Sequence, residues 1–179
     1  MIQEQIIDQA TFETERLTLR PLRHSDKGML DMHGGDRRVA RMTTTIPHPL
    51  PPGASEAFIK GTWDPERTED VWAMDGSKAD LPELLGCIAL ERMDRDQSEI
   101  GYWIAPAVWN MGLAREALGT IMAENQQNNA TIFGSVFQDN PASARVLTHC
   151  GFAYLGDAEA YSVARQATVP TWTYLRKMI

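Results

Sequence analysis

The sequence predicts one α/β domain of the α+β type, a mostly antiparallel mixed sheet flanked by helices. Three observations carry this. The chain has 179 residues and 43% hydrophobic content, enough for one domain with a real core. Three strand patterns follow one another in mid-chain with no helical period between them, which favours antiparallel neighbours. Elsewhere helices and strands do not alternate in the strict βαβ order of a doubly wound sheet. No repeat, low-complexity tract or linker divides the chain, so a single domain over 1–179 is expected, with 1–13 as an N-terminal extension.

The elements follow in order. "RLTLRPL" (Arg16–Leu22) alternates Leu17 and Leu19 with charged neighbours, a strand with one wet face. "HSDKGMLDMHGG" starts at a Ser25 or Asp26 cap and stops at Gly34-Gly35, a short helix. Thr43–Ser55 holds four prolines and reads as loop. "SEAFIKGTW" resumes as a helix with Ser55 as its cap. "DVWAMDG" and "LLGCIALERMD" are strands, and "SEIGYWIAP" (Ser98–Pro106) is a third, ended by its proline. Leu113, Ala114, Ala117, Leu118, Ile121 and Met122 keep a helical period until "NQQNN". "TIFGSVFQD" is a buried strand. "NPASARVLTHCGF" is a helix capped at Asp139 or Asn140, with Pro141 near its first position and Gly151 just past its end. "AYLGDAEAYSVA" and "TWTYLRKM" close the chain as an antiparallel pair.

Composition narrows the function. A net charge of −7 and a pI near 5.1 disfavour nucleic acid as a partner and would suit a cationic substrate. Two cysteines, Cys87 and Cys150, are too few for a disulfide framework and read as reduced core residues. The N-terminal stretch lacks a basic region followed by an apolar run, so no signal peptide is expected. No apolar run approaches the ~20 residues that cross a bilayer, and the expected location is cytoplasmic. The fingerprints of dinucleotide, NTP, zinc-protease and serine-hydrolase sites are absent. His24, His33, His48 and His149 are scattered singly, so no metal site is expected.

One junction stands out. In "PAVWNMGLAREA" an extended stretch runs through Gly112 into a helix. The first N–H groups of a helix lack internal partners, and its dipole adds roughly half a positive charge there. A glycine in the preceding turn lets a phosphate approach the backbone, and small Ala114 extends the clearance. The same residues also suit a plain N-terminal turn.

Chain order and several separated motifs resemble the GNAT superfamily of acetyl-CoA-dependent N-acetyltransferases, and within it the Rim-type branch that acetylates ribosomal-protein N-termini. The resemblance runs from about Thr14 to Leu175 through "TERLTLRPLRHSD", "IPHPLPPGASEAFI", "LLGCIAL", "SEIGYWIAPAVWNMGLAREAL" and "NPASARVLTHCGF". It implies a splayed central strand and transfer of an acetyl group to a primary amine, either a protein N-terminus or a small molecule. Homodimers are common among look-alikes. A non-catalytic acyl-CoA-binding sensor with the same fold is the alternative.

The family's pyrophosphate loop pattern falls on Trp109, Asn110, Met111, Gly112, Leu113 and Ala114. Gly112 and Ala114 match; Trp109 and Met111 stand where relatives often carry a basic residue. The backbone from Met111 to Arg115 would hold the phosphates, with Arg115 adding charge or simply solvated. Ile104 and Ala105 on the splayed strand would pair with the pantetheine arm. Glu99 matches the place of a carboxylate base, or is a strand-end glutamate; Glu159 is a weaker substitute. Ser143, the serine of Asn-x-x-Ser, would donate to the cofactor sulfur. Asn140 would hold the cofactor arm or cap the helix. Tyr102 is a second acid or a core residue, and Arg145 meets the phosphates or solvent. The acceptor side is expected among the proline loop, the first helices and the last strand pair, with Trp63, Trp72, Trp103, Trp109 and Trp172 as candidates.

Overall fold

The computed structural model describes residues 8–178. Its sheet has eight strands: β1 (Phe12–Glu13), β2 (Thr18–Pro21), β3 (Glu69–Asp75), β4 (Gly86–Met93), β5 (Gln97–Ile104), β6 (Thr131–Phe137), β7 (Ala153–Ser162) and β8 (Ala167–Lys177). Their order is β1-β2-β3-β4-β5-β6-β8-β7, and only β5 and β6 run parallel. The helices are α1 (Lys27–Gly34), α2 (Arg37–Ala40), α3 (Ala54–Thr62), α4 (Leu113–Glu124) and α5 (Pro141–His149).

Period-two alternation sorts each strand's side chains between two cores. Leu17, Leu19, Trp72, Met74, Ile88, Leu90 and Ile100 face α4 and α5, meeting Leu113, Leu118, Ile121 and Leu147. The intervening residues Val71, Ala73 and Cys87 face the other way, against Leu30 of α1 and Ile59 of α3. The first layer carries the larger core. The second covers only part of its face of the sheet, and the uncovered part becomes the cavity described below.

Most sequence-expected elements are present, with corrections at their ends. Ser55 is not the cap of α3. Gly53, at φ 80° after Pro51-Pro52, stands at the N-cap, so the helix starts two residues earlier than a Ser55 cap would place it, and Ser55 is buried in its first turn. Ser25 is no cap either: His24–Asp26 form a 3-10 turn, and α1 begins after Asp26. The short α2, capped by Asp36 through Arg38 N–H, has no counterpart in the apolar periodicity. Asn140 occupies the N-cap position of α5 without bonding its backbone. Of the two cysteines, Cys87 is buried and Cys150 half-buried, and both are free. Residues 1–7 lie outside the described part of the expected extension; beyond them, Phe12–Glu13 add a strand to β2, and the Trp72 indole donates to Ala10 C=O at 2.8 Å.

Arg20 ties the first strands to α1. Its guanidinium donates to both Asp26 oxygens at 2.9 Å and to Asp75 Oδ2 at 2.8 Å. All three side chains are nearly sealed from water, at 4%, 2% and 8% exposure. The pairing holds the Arg20 guanidinium firmly protonated despite its burial. Removing the cation would strand two buried carboxylates. Arg20→Met should therefore cost about 3–5 kcal/mol of stability, read as a lower urea midpoint.

Candidate active site

Pairing between β5 and β6 runs from Gln97↔Thr131 to Ile100↔Gly134 and stops there. Beyond it β5 keeps only β4, while β6 keeps only β8 to Phe137. The sheet is thus split at its centre. A side chain on Gly134 would press against both Leu147 methyls at 3.0 Å, so the glycine lets α5 seat directly over the split.

Two cavities meet at this gap. The larger, about 510 Å³, lies on the α1–α3 face and is lined by the 42–47 segment, Phe58, Trp103 and the three glutamates Glu69, Glu91 and Glu99. The smaller, about 40 Å³, is bounded by Tyr102, Ser135, Asn140 and Ser143. Ile100, Gly101 and Tyr102 line both. Glu99 and Ser143, far apart in sequence, are thereby placed on opposite sides of one opening.

Local bonds set their chemistry. Asn140 Nδ2 donates to Ser143 Oγ at 3.1 Å, which leaves the serine proton free to point elsewhere. Tyr102 is different: its hydroxyl donates to Ser143 C=O at 3.0 Å, and burial pushes the phenol pKa up. Burial and then Glu91 raise the pKa of Glu99 above the ordinary carboxylate value. Glu159 lies exposed on edge strand β7, outside both cavities.

The backbone of β5 corrects one expectation. Ala105 N–H donates to Leu85 C=O at 2.7 Å, and Ala105 C=O accepts from Val108 N–H at 3.0 Å, so Ala105 has both groups engaged. Antiparallel alternation with β4 then turns the backbone of Tyr102 and Ile104 toward the split. The Ile104 carbonyl already accepts the Trp109 indole N–H at 2.7 Å. Trp109 itself is exposed, with Arg38 stacked at 5.9 Å from its ring. Of the five tryptophans, Trp103 is the one that lines the large cavity.

At the junction, Asn110 and Gly112 take positive φ, 62° and 78°, and turn the chain sharply into α4. Leu113, Ala114 and Arg115 occupy the first turn, where backbone N–H groups have no intrahelical acceptor. Met111 and Arg115 are exposed, and Arg145 is exposed on α5. The open backbone and the bare Gly112 fit a pyrophosphate, and the adjoining split strand fits an extended amide-bearing arm. Among the described residues no group of three His, Cys, Asp or Glu could hold a metal, and no helix is long and apolar enough to cross a membrane.

A sequence profile of the acetyltransferase (GNAT) domain matches residues 16–153. The chain belongs to the GNAT acetyltransferase family. Solved structures agree on the fold. RimL, a ribosomal L7/L12 α-N-protein acetyltransferase in complex with coenzyme A, superposes with a TM-score of 0.80 at 13% identity, covering 94% of this chain and 98% of its own. The ribosomal-protein-S5-alanine acetyltransferase of Vibrio fischeri gives 0.77 at 18% identity, covering 95% and 97%. The spermidine N-acetyltransferase of Vibrio cholerae, in complex with CoA and spermine, gives 0.75 at 18%, covering 91% and 96%. A search of curated proteins returned no match. This acetyltransferase thus uses acetyl-CoA as donor, and a GNAT protein acts on an amine.

Residues that sequence reasoning missed also shape the site. Arg165, in the β7–β8 turn, donates from Nε to Arg41 C=O at 2.7 Å and forks onto Asp139 at 2.7 and 3.0 Å. Val163 N–H reaches Thr44 C=O at 3.1 Å. The hairpin therefore pins the 41–44 segment, one wall of the large cavity, to Asp139, two residues before α5. Arg165→Ala should raise KM for the amine more than KM for acetyl-CoA and cost on the order of 1 kcal/mol of stability, measured by initial rates and denaturant melts.

Proposed function

We propose that this acetyltransferase acetylates a small amine carrying additional positive charge, with Glu99 as general base and Ser143 as general acid. The carboxylate row carries this reading. Glu69, Glu91 and Glu99 are direct cross-strand partners on β3, β4 and β5, all on the face that lines the large cavity. Like charges placed opposite one another destabilise a sheet. None of the three has an ion-pair partner among the described residues. Burial and the neighbouring carboxylates raise the pKa of Glu69 as they do that of Glu99. A cationic ligand removes the repulsion, so the row favours an amine with a second charge over a neutral one.

When bound, acetyl-CoA supplies an acetyl thioester. Glu99 would take a proton from the incoming ammonium, whose own pKa is ~8–10. A carboxylate of raised pKa is better matched to that task than an ordinary one. Ser143, its oxygen oriented by Asn140, would hold a proton toward the small cavity where the leaving sulfur is received. Tyr102, its proton engaged by Ser143 C=O, suits a supporting wall. A spermidine N-acetyltransferase of the same fold, in complex with CoA and spermine, supports a polyamine as the acceptor. The Rim-type neighbours keep a protein N-terminus in the comparison. A cytoplasmic location belongs to the same reading, supported by the two free cysteines.

CoA release across a panel of monoamines, diamines, polyamines and peptides with free N-termini tests the acceptor. Diamines or polyamines should exceed matched monoamines in kcat/KM by about tenfold, and Glu69→Gln or Glu91→Gln should erase that preference. A best substrate among the peptides overturns it, and binding of acetyl-CoA without turnover of any acceptor favours the sensor. For the base, kcat/KM should fall with decreasing pH through an inflection above the ordinary glutamate value of ~4.3. Glu99→Gln should remove that limb and lower kcat/KM about 10²–10⁴-fold, whereas Ser143→Ala lowers kcat and leaves the limb in place.

A further inference from the structure

The loop before α4 offers backbone but little side-chain charge of its own, since Trp109 and Met111 are neutral. A cation reaches it from elsewhere in the chain. The atom nearest to where a Gly112 side chain would stand is Arg16 Nη2, at 3.6 Å. Arg16 comes just before β2, almost a hundred residues upstream. It is held by Glu116, in the first turn of α4: Nε donates to Oε1 at 3.1 Å, and the Arg16 backbone N–H donates to Oε2 at 3.1 Å. Thr14 Oγ1 donates to the same Oε2 at 2.7 Å. Burial alone would raise the Glu116 pKa; the bonds from Thr14 and Arg16 more than offset it and keep the carboxylate ionised.

This clamp engages the guanidinium through its inner nitrogen. Among the described hydrogen bonds, neither Nη of Arg16 has a protein acceptor, and the side chain is 34% exposed. An arginine fork with its terminal donors free, beside a glycine turn and unpaired helix N–H groups, matches the paired oxygens of a phosphate.

We propose that Arg16 is a cofactor-binding residue that donates to the pyrophosphate of acetyl-CoA at Gly112, with Glu116 as the positioning residue that aims it. This rests on the loop receiving the cofactor's phosphates. It restores, through space, the positive charge that the loop's own sequence lacks.

Calorimetric titration of the full chain with CoA, 3′-dephospho-CoA and pantetheine tests it. Arg16→Gln should weaken CoA and 3′-dephospho-CoA alike, by about tenfold, and leave pantetheine, which has no phosphate, unchanged. Arg16→Lys, which keeps the charge but not the fork, should lose CoA affinity to a smaller degree. Unchanged CoA affinity in Arg16→Gln overturns the proposal. So does an equal loss for pantetheine, which marks a purely structural role, or a loss for CoA alone, which moves the contact to the 3′-phosphate. Should Arg16→Gln fail to fold, Arg16→Lys decides: lost CoA affinity with pantetheine unchanged supports the contact, and unchanged CoA affinity overturns it. Absence of CoA binding by the unmodified chain would instead sink the cofactor loop itself.

Discussion

The parting of β5 from β6 after Ile100–Gly134 is the constraint on which the rest of this structure depends. A sheet interior cannot leave strand edges unpaired without cost, because buried N–H and C=O groups need partners. Here the opening is held by packing on both sides. Leu147 of α5 presses on Gly134, and Ala105 is fastened to Leu85 and Val108 just past the end of β5. One carbonyl facing the opening, that of Ile104, takes its partner in the Trp109 indole. What the split creates is a shared border between two cavities, lined on both sides by Ile100, Gly101 and Tyr102.

Charge is distributed around that border in two distinct ways. Arg20, Asp26 and Asp75 form a closed, buried network in which each carboxylate has its cation, and they join β2, β3 and α1. Glu69, Glu91 and Glu99 sit on the same sheet with no such cation among the described residues. The first group contributes to the fold. The second sets like charges opposite one another across neighbouring strands, which disfavours the sheet where it stands. Both arrangements come from the same strand alternation; what differs is whether a helix or an open cavity covers the position.

The cavity's outer wall is tied to the neighbouring elements rather than left free. The β7–β8 turn fixes the 41–44 segment and Asp139 through Arg165, so that wall of the large cavity and the approach to α5 share one anchor. Thr14 and Arg16 likewise bind the N-terminal strands to the first turn of α4 through Glu116. Distant segments of the chain thereby set the geometry of the large cavity's wall and of the turn into α4.

Much of this was legible in the sequence. Periodicity located the major strands and helices, because two-residue and 3.6-residue repeats follow directly from which faces are buried. The motif around Gly112 and the Asn140–Ser143 pair stood out as candidates for the cofactor side, since glycine and capping residues act locally. The start of α3 was displaced by Gly53, and Ala105 proved to be engaged, because both depend on turns and partners that periodicity does not encode. Glu69 and Glu91 carried a faint signal: each continues the alternation of a strand on its less hydrophobic side. Their meeting with Glu99 could not be read, because register between strands is a tertiary property. The same holds for Arg16 beside Gly112 and Arg165 beside Asp139. By itself the sequence determined the fold class, through local pattern, and the family, through the order of several separated motifs, and it made the turn at Gly112 a candidate cofactor loop. Only the tertiary structure decided which charges share a cavity and which cation attends the loop, because those contacts join residues that the chain brings together only when the sheet closes.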